Sequence, residues 1–168
     1  MNELKTPDTA NPTLLSDGKK GFNFWRFFWL SFLVVSLAYA WYCFYVPSNR
    51  VAWAENYNDA QQQAAKDGKP MILFFTSTWC VPCRIMKRNV WADEEVTVAV
   101  NAAFVPVAIY VDDPNAAEVV QRYGVGFTPK TIVTDSQGNV LQQTDGGMGK
   151  AEFLEMLDKR KLFAGKDD

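Results

Sequence analysis

Residues 71–84 read Met71-Ile72-Leu73-Phe74-Phe75-Thr76-Ser77-Thr78-Trp79-Cys80-Val81-Pro82-Cys83-Arg84. Met71–Phe75 is an unbroken apolar run of strand length. A run without alternation is the pattern of a strand covered on both faces. Thr76-Ser77-Thr78 follows as a loop, and Cys83–Val90 reads as a helix. Two cysteines separated by two residues therefore stand where a buried strand passes through a short loop into a helix.

That junction suits thiol–disulfide exchange. The reaction needs two thiols able to bond to each other, one of them exposed and ionised. A sulfur at a helix N-terminus meets free backbone N–H groups and the positive end of the helix dipole, both of which favour a thiolate. Cys80 takes that place, as the nucleophile. Cys83 lies one turn along, more sheltered, as the resolving thiol. Pro82 falls in the first turn, where its missing N–H does no harm.

Outward from this junction, alternating elements fill residues 53–165. Trp53–Lys66 favours helix, ended by Gly68 and Pro70. Asp93 begins a further helix through Val96 and Val100, and Phe104–Val111 is a second strand. Ala116–Tyr123 is helical, and Gly124–Pro129 is a loop. Lys130–Thr134 and Val140–Thr144 pair as a hairpin about Ser136-Gln137-Gly138-Asn139. Ala151–Phe163 closes as an amphipathic helix with Phe153, Leu154, Leu157 and Leu162 inward. The order implies an α/β domain, a mixed sheet with helices on both faces.

Ahead of the domain the pattern changes. Residues 1–24 are polar and without period, and are expected to be a disordered cytoplasmic tail. Residues 25–46 form an apolar segment, uncharged from Phe27 to Val46, whose length matches a bilayer core of about 30 Å. Trp25, Trp29, Trp41, Tyr42 and Tyr45 sit toward its ends, as aromatic belts do. Lys19, Lys20 and Arg26 before it, against Arg50 after it, place the N-terminus inside and the domain outside. A signal peptide cleaved after Ala40 is the alternative, since Ala38-Tyr39-Ala40 has the small-x-small form. Residues 47–52 are a short linker that keeps the domain near the membrane surface.

Composition removes several function classes. The 168 residues carry a formal net charge of -2, which gives a nucleic-acid backbone nothing to bind. Histidine is absent, so Cys–His and Ser–His–Asp hydrolysis and histidine-ligated metals are excluded. The cysteines are Cys43, Cys80 and Cys83, too few for a disulfide-stapled mini-domain or a four-ligand zinc site. Cu(I) delivery by the two thiolates lacks a supporting Met or His cluster. No metal and no cofactor is expected. Cys43 reads as a small apolar filler.

The segment resembles the thioredoxin superfamily over roughly Asn56–Leu162. The resemblance rests on Lys69-Pro70 before the first strand, on Trp79-Cys80-Val81-Pro82-Cys83-Arg84, and on Tyr123-Gly124-Val125-Gly126-Phe127-Thr128-Pro129. It implies a thioredoxin-like fold and a cis-proline at Pro129. The loop before Pro129 would lie beside the cysteines and hold substrate backbone through Thr128. Trp79 resembles the family tryptophan that shields the active site; the lesser alternative is a core aromatic. Within the superfamily the chain is similar to bacterial extracytoplasmic members, including the C-terminal domain of transmembrane thiol:disulfide reductases. That likeness implies a reductase or electron relay at the cytoplasmic (inner) membrane. Its domain would face the periplasm, with protein disulfides as substrates and a membrane-associated electron donor. A thioredoxin-fold binding or assembly module with idle cysteines is the second reading. One departure stands out: the family's buried aspartate, six residues before the first cysteine, is Phe74 here, and its accompanying lysine position is Ala108.

Overall fold

The computed structural model describes residues 24–164, with side chains through Asp158 in the last helix. The expected tail, up to residue 23, lies outside the described residues. The described residues divide into two compact units, with the boundary between Ala38 and Tyr39.

Helix α1, Phe24–Phe44, is apolar over 21 residues and has no buried residue. At about 1.5 Å per residue it is long enough to cross a bilayer. It stops two residues short of the expected end, because Val46 precedes Pro47 and that position disfavours helical backbone.

The larger unit is a four-stranded sheet in the order β2-β1-β3-β4. Strand β1 is Met71–Thr76, β2 Val105–Tyr110, β3 Lys130–Thr134 and β4 Val140–Asp145. β1 is parallel to β2 and antiparallel to β3, and β3 and β4 form the hairpin. Every residue of β1 is buried, as its unbroken apolar run requires. Side chains alternate between the two faces. Met71, Leu73 and Phe75 join Val107 and Ile132 on one face, with Ala60 and Ala64 of helix α2 (Tyr57–Asp67). Helix α5 (Ala117–Arg122) follows a single 3-10 turn, Pro114–Ala116, on this side.

Ile72 and Phe74 point the other way, into a core shared with three helices. These are α3 (Val81–Met86), α4 (Glu94–Ala103) and α6 (Lys150–Ala164). Trp91 is the hub of that core. Its ring lies 4.6 Å from Trp53, 5.3 Å from Phe74 and 4.8 Å from Phe153, centroid to centroid. Phe153 and Leu157 are buried as expected, and Met156 joins them; the Leu162 side chain lies outside the described residues.

Four expectations need correction. The helix expected from Trp53 begins at Tyr57, since Ala54 bridges to Val107 of β2 and Asn56 caps the helix, accepting the Asp59 N–H at 3.0 Å. The helix expected from Cys83 starts two residues sooner, at Val81, because Cys80 is its N-cap. It does not run on as α-helix to Val90. From Lys87 to Trp91 the backbone widens into a π turn, with Ala92 N–H donating to the Lys87 carbonyl at 3.0 Å. Ala116–Tyr123 splits into the 3-10 turn and the six residues of α5.

Candidate active site

The register of the sheet gathers the site. Phe75 of β1 pairs with Lys130 of β3, and Thr76 with Tyr110 of β2. The loop leaving β1 toward Cys80, the Thr128–Pro129 approach to β3 and the end of β2 therefore share one end of the sheet.

Thr78 is held from two sides before the chain reaches Trp79. Asp112, just past β2, accepts from the Thr78 N–H at 3.2 Å and from its hydroxyl at 2.5 Å. Arg84 of α3 donates to the Thr78 carbonyl at 2.6 Å. The Thr78 hydroxyl holds the Asp112 carboxyl below the usual carboxylate range.

Cys80 then caps α3 in extended backbone, and its Sγ accepts the Cys83 N–H at 3.1 Å. Pro82 occupies the first turn as expected. Cys80 and Cys83 are joined as a disulfide, with their Cα atoms 5.2 Å apart. Cys83 is fully buried, whereas Cys80 is 9% exposed. The chain neighbours of Cys80 are apolar and exposed, Trp79 at 80% and Val81 at about half; Phe127, in the loop before Pro129, is also about half exposed. Trp79 is thus no core aromatic. Phe127 was not singled out in the sequence, although it stands two residues before Pro129.

The Thr128–Pro129 bond is cis, as the resemblance implied. Pro129 is buried and Thr128 half-buried. The Pro129 carbonyl accepts the Gly146 N–H at 2.9 Å, and Lys130 pairs with Asp145 at 3.2 Å. These contacts tie the loop to the end of β4.

The expected loss of charge beneath the pair is present. Phe74 is fully buried in the core that contains both cysteines, and Ala108 is its register partner on β2. Lys87 was missed. Its Nζ donates to the Tyr110 hydroxyl at 3.1 Å and stands 6.0 Å from the Phe74 ring centre. Its spacing, four residues after Cys83, was the available signal.

The family profile of the thioredoxin-like domain matches residues 57–161. The chain belongs to the thioredoxin-like family. Among relatives, it is 29% identical over 114 residues to the thiol:disulfide interchange protein DsbD of Ralstonia nicotianae. That match covers 67% of this chain and 19% of the relative. Thioredoxin H5 of rice (Oryza sativa) is 27% identical over 111 residues, covering 65% of this chain and 77% of the relative. Among solved structures, a thioredoxin from Thermus thermophilus matches with a TM-score of 0.59 at 28% identity, over 65% of this chain and 85% of that one. The oxidised C-terminal domain of Neisseria meningitidis DsbD matches with a TM-score of 0.52 at 25% identity, over 61% and 90%. The thioredoxin-like domain here therefore spans a small part of the DsbD proteins and most of a free-standing thioredoxin.

Proposed function

We propose that the chain is a membrane-tethered thiol–disulfide oxidoreductase that reduces protein disulfides outside the cytoplasmic membrane. The observation that carries this reading is the pair itself. Cys80 caps a helix and keeps 9% exposure beside the exposed Trp79 and Val81, and Cys83 is fully buried one turn away within bonding reach. The names of its relatives, thiol:disulfide interchange protein and thioredoxin, support the same chemistry.

The steps follow from the positions. In the reduced chain, the Cys80 thiolate attacks a partner disulfide and expels one partner thiolate. A mixed disulfide forms. Cys83 gives up its proton and attacks the Cys80 sulfur, which releases the second partner thiolate. Two electrons pass to the partner, and the Cys80–Cys83 disulfide remains. A dithiol donor in or near the membrane then resets the pair. Trp79, Thr128 and Pro129 hold the partner chain, with Phe127 beside them.

Helix α1 supplies the anchor, and the charges flanking it support a domain on the outer side. The short linker limits clients to those near the membrane.

A trapping experiment tests the reading. In the full chain, Cys83→Ala leaves a mixed disulfide with no resolving thiol. Partners captured on Cys80, and lost when Cys80 is also replaced, support the oxidoreductase. Absence of capture across reducing and oxidising conditions supports the binding module instead.

A further inference from the structure

Resolution requires Cys83 to carry a negative charge while buried. Burial among apolar groups holds a thiol in its neutral form. The strand positions beneath the pair, Phe74 and Ala108, offer no charge to offset this. On the α4 and α6 side, the residues packed in the same core are apolar: Val96, Val100, Phe153 and Leu157.

A cation on the same helix is Lys87, whose ammonium stands over the Phe74 ring at 6.0 Å. Lys87 follows Cys83 by one turn, and its backbone N–H donates to the carbonyls of Cys83 and Arg84. Residues four apart share a helix face. Lys87, Phe74, Ala108 and Tyr110 line one cavity, with Ser77 and Thr78 of the loop that leads into the pair. Arg84 lines the same cavity, and it and the other charged groups nearby are held by partners of their own. Arg84 donates to the Thr78 carbonyl, Asp112 accepts from Thr78, and Arg88 donates to the Tyr42 carbonyl. The Lys87 ammonium has a neutral partner, the Tyr110 hydroxyl on β2.

We propose that Lys87 is a positioning residue for the exchange reaction, its ammonium stabilising the Cys83 thiolate during resolution of the mixed disulfide. The inference rests on the proposed oxidoreductase reading and adds the group that replaces the family's strand-borne charges. The electron balance is that of the exchange: the Cys83 proton leaves to solvent or to the departing partner thiolate. Lys87 donates no electron and forms no bond.

The test uses the full chain in detergent micelles, with Cys43→Ala and Cys80→Ala leaving Cys83 as the single thiol. Its titration is followed by ultraviolet thiolate absorbance. Lys87→Met raises the midpoint by about half a unit or more. Lys87→Glu raises it further, and Lys87→Arg restores the parent value. An unchanged midpoint in folded Lys87→Met overturns the inference. If that variant does not fold, the same comparison with Lys87→Gln decides. Turnover of a protein disulfide by the chain with all its cysteines is measured in parallel. A midpoint shift without turnover keeps Lys87 as the group that holds the thiolate and defeats the oxidoreductase reading. Turnover with a flat midpoint defeats the role of Lys87 alone.

Discussion

The backbone N–H of Cys83 donates to the Sγ of Cys80 at 3.1 Å, so the first sulfur of the pair caps the helix that carries the second. A side-chain acceptor at that position is ordinarily an oxygen of Ser, Thr, Asp or Asn. Here the same N–H is available to a thiolate once the disulfide opens. Charge on Cys80 is then met by a donor already in place and by the helix dipole.

Trp79 gives the first prediction. With four-fifths of its surface in solvent, it contributes little to the fold. Trp79→Ala should change unfolding stability by no more than about 0.5 kcal/mol. Reduction of a protein disulfide should slow by about an order of magnitude, equivalent to ~1.4 kcal/mol of transition-state binding. Denaturant unfolding and turnover measured on the same sample check both. A large stability loss with unchanged turnover would place Trp79 outside the binding surface.

Asp112 predicts a dependence on pH. Its carboxyl is held below the usual range, first by the Thr78 hydroxyl. A folded-state value below the unfolded one stabilises the native chain above the ordinary carboxylate range, and this is lost as pH falls through the depressed value. The parent should therefore have a higher thermal midpoint than Asp112→Asn at neutral pH, and the gap should close on acidification. Because the same carboxylate fixes the residue before Trp79, the variant should also exchange disulfides more slowly. A gap that persists unchanged into acid contradicts the assignment.

Gly138 lies in the hairpin turn at φ +88°, where L side chains are strained. A Cβ there would meet the Tyr57 hydroxyl at 2.5 Å. Its carbonyl accepts from the Tyr123 hydroxyl at 2.9 Å, and that oxygen lies 2.9 Å from the Tyr57 hydroxyl. Gly138→Ala should destabilise by about 1–3 kcal/mol. Tyr123→Phe, which removes the hydroxyl linking the turn to α2, should cost about 1–3 kcal/mol. Chemical denaturation measures both, and a Gly138→Ala variant as stable as the parent would sink this reading of the turn.

Much of the fold was legible because burial writes itself into residue order. β1 is apolar at every position, and both of its faces are covered. Lys130–Thr134 was bounded correctly because the Pro129 loop and the Ser136–Asn139 turn flank it. The start of α2 was misplaced because Trp53–Glu55 have ordinary helix propensities, and only the tertiary bridge from Ala54 to Val107 pulls them out. The π turn at Lys87–Trp91 has no local signature; it serves to bury Val90 and Trp91 together. The two cysteines and Pro129 were readable from motif and spacing. Lys87 stands at helical spacing from Cys83, but its value depends on Phe74 and Ala108 being register partners, which spacing alone does not show.

Phe74 supplies a stability test of that arrangement. It is fully buried in the core that also holds Trp91 and the cysteine pair, so Phe74→Ala should cost about 3–5 kcal/mol. Denaturant unfolding of the full chain measures it. A loss under about 1 kcal/mol would mean the site has no packed floor.

The most direct measurement is a thiol count across a single exchange. The reduced full chain is mixed with an equimolar protein disulfide, quenched, and read by alkylation and mass spectrometry. The expected result is closure of Cys80 with Cys83, matched by two new partner thiols, and abolished by Cys80→Ala. Partner thiols that fail to appear while Cys80 and Cys83 remain reduced would contradict the oxidoreductase assignment.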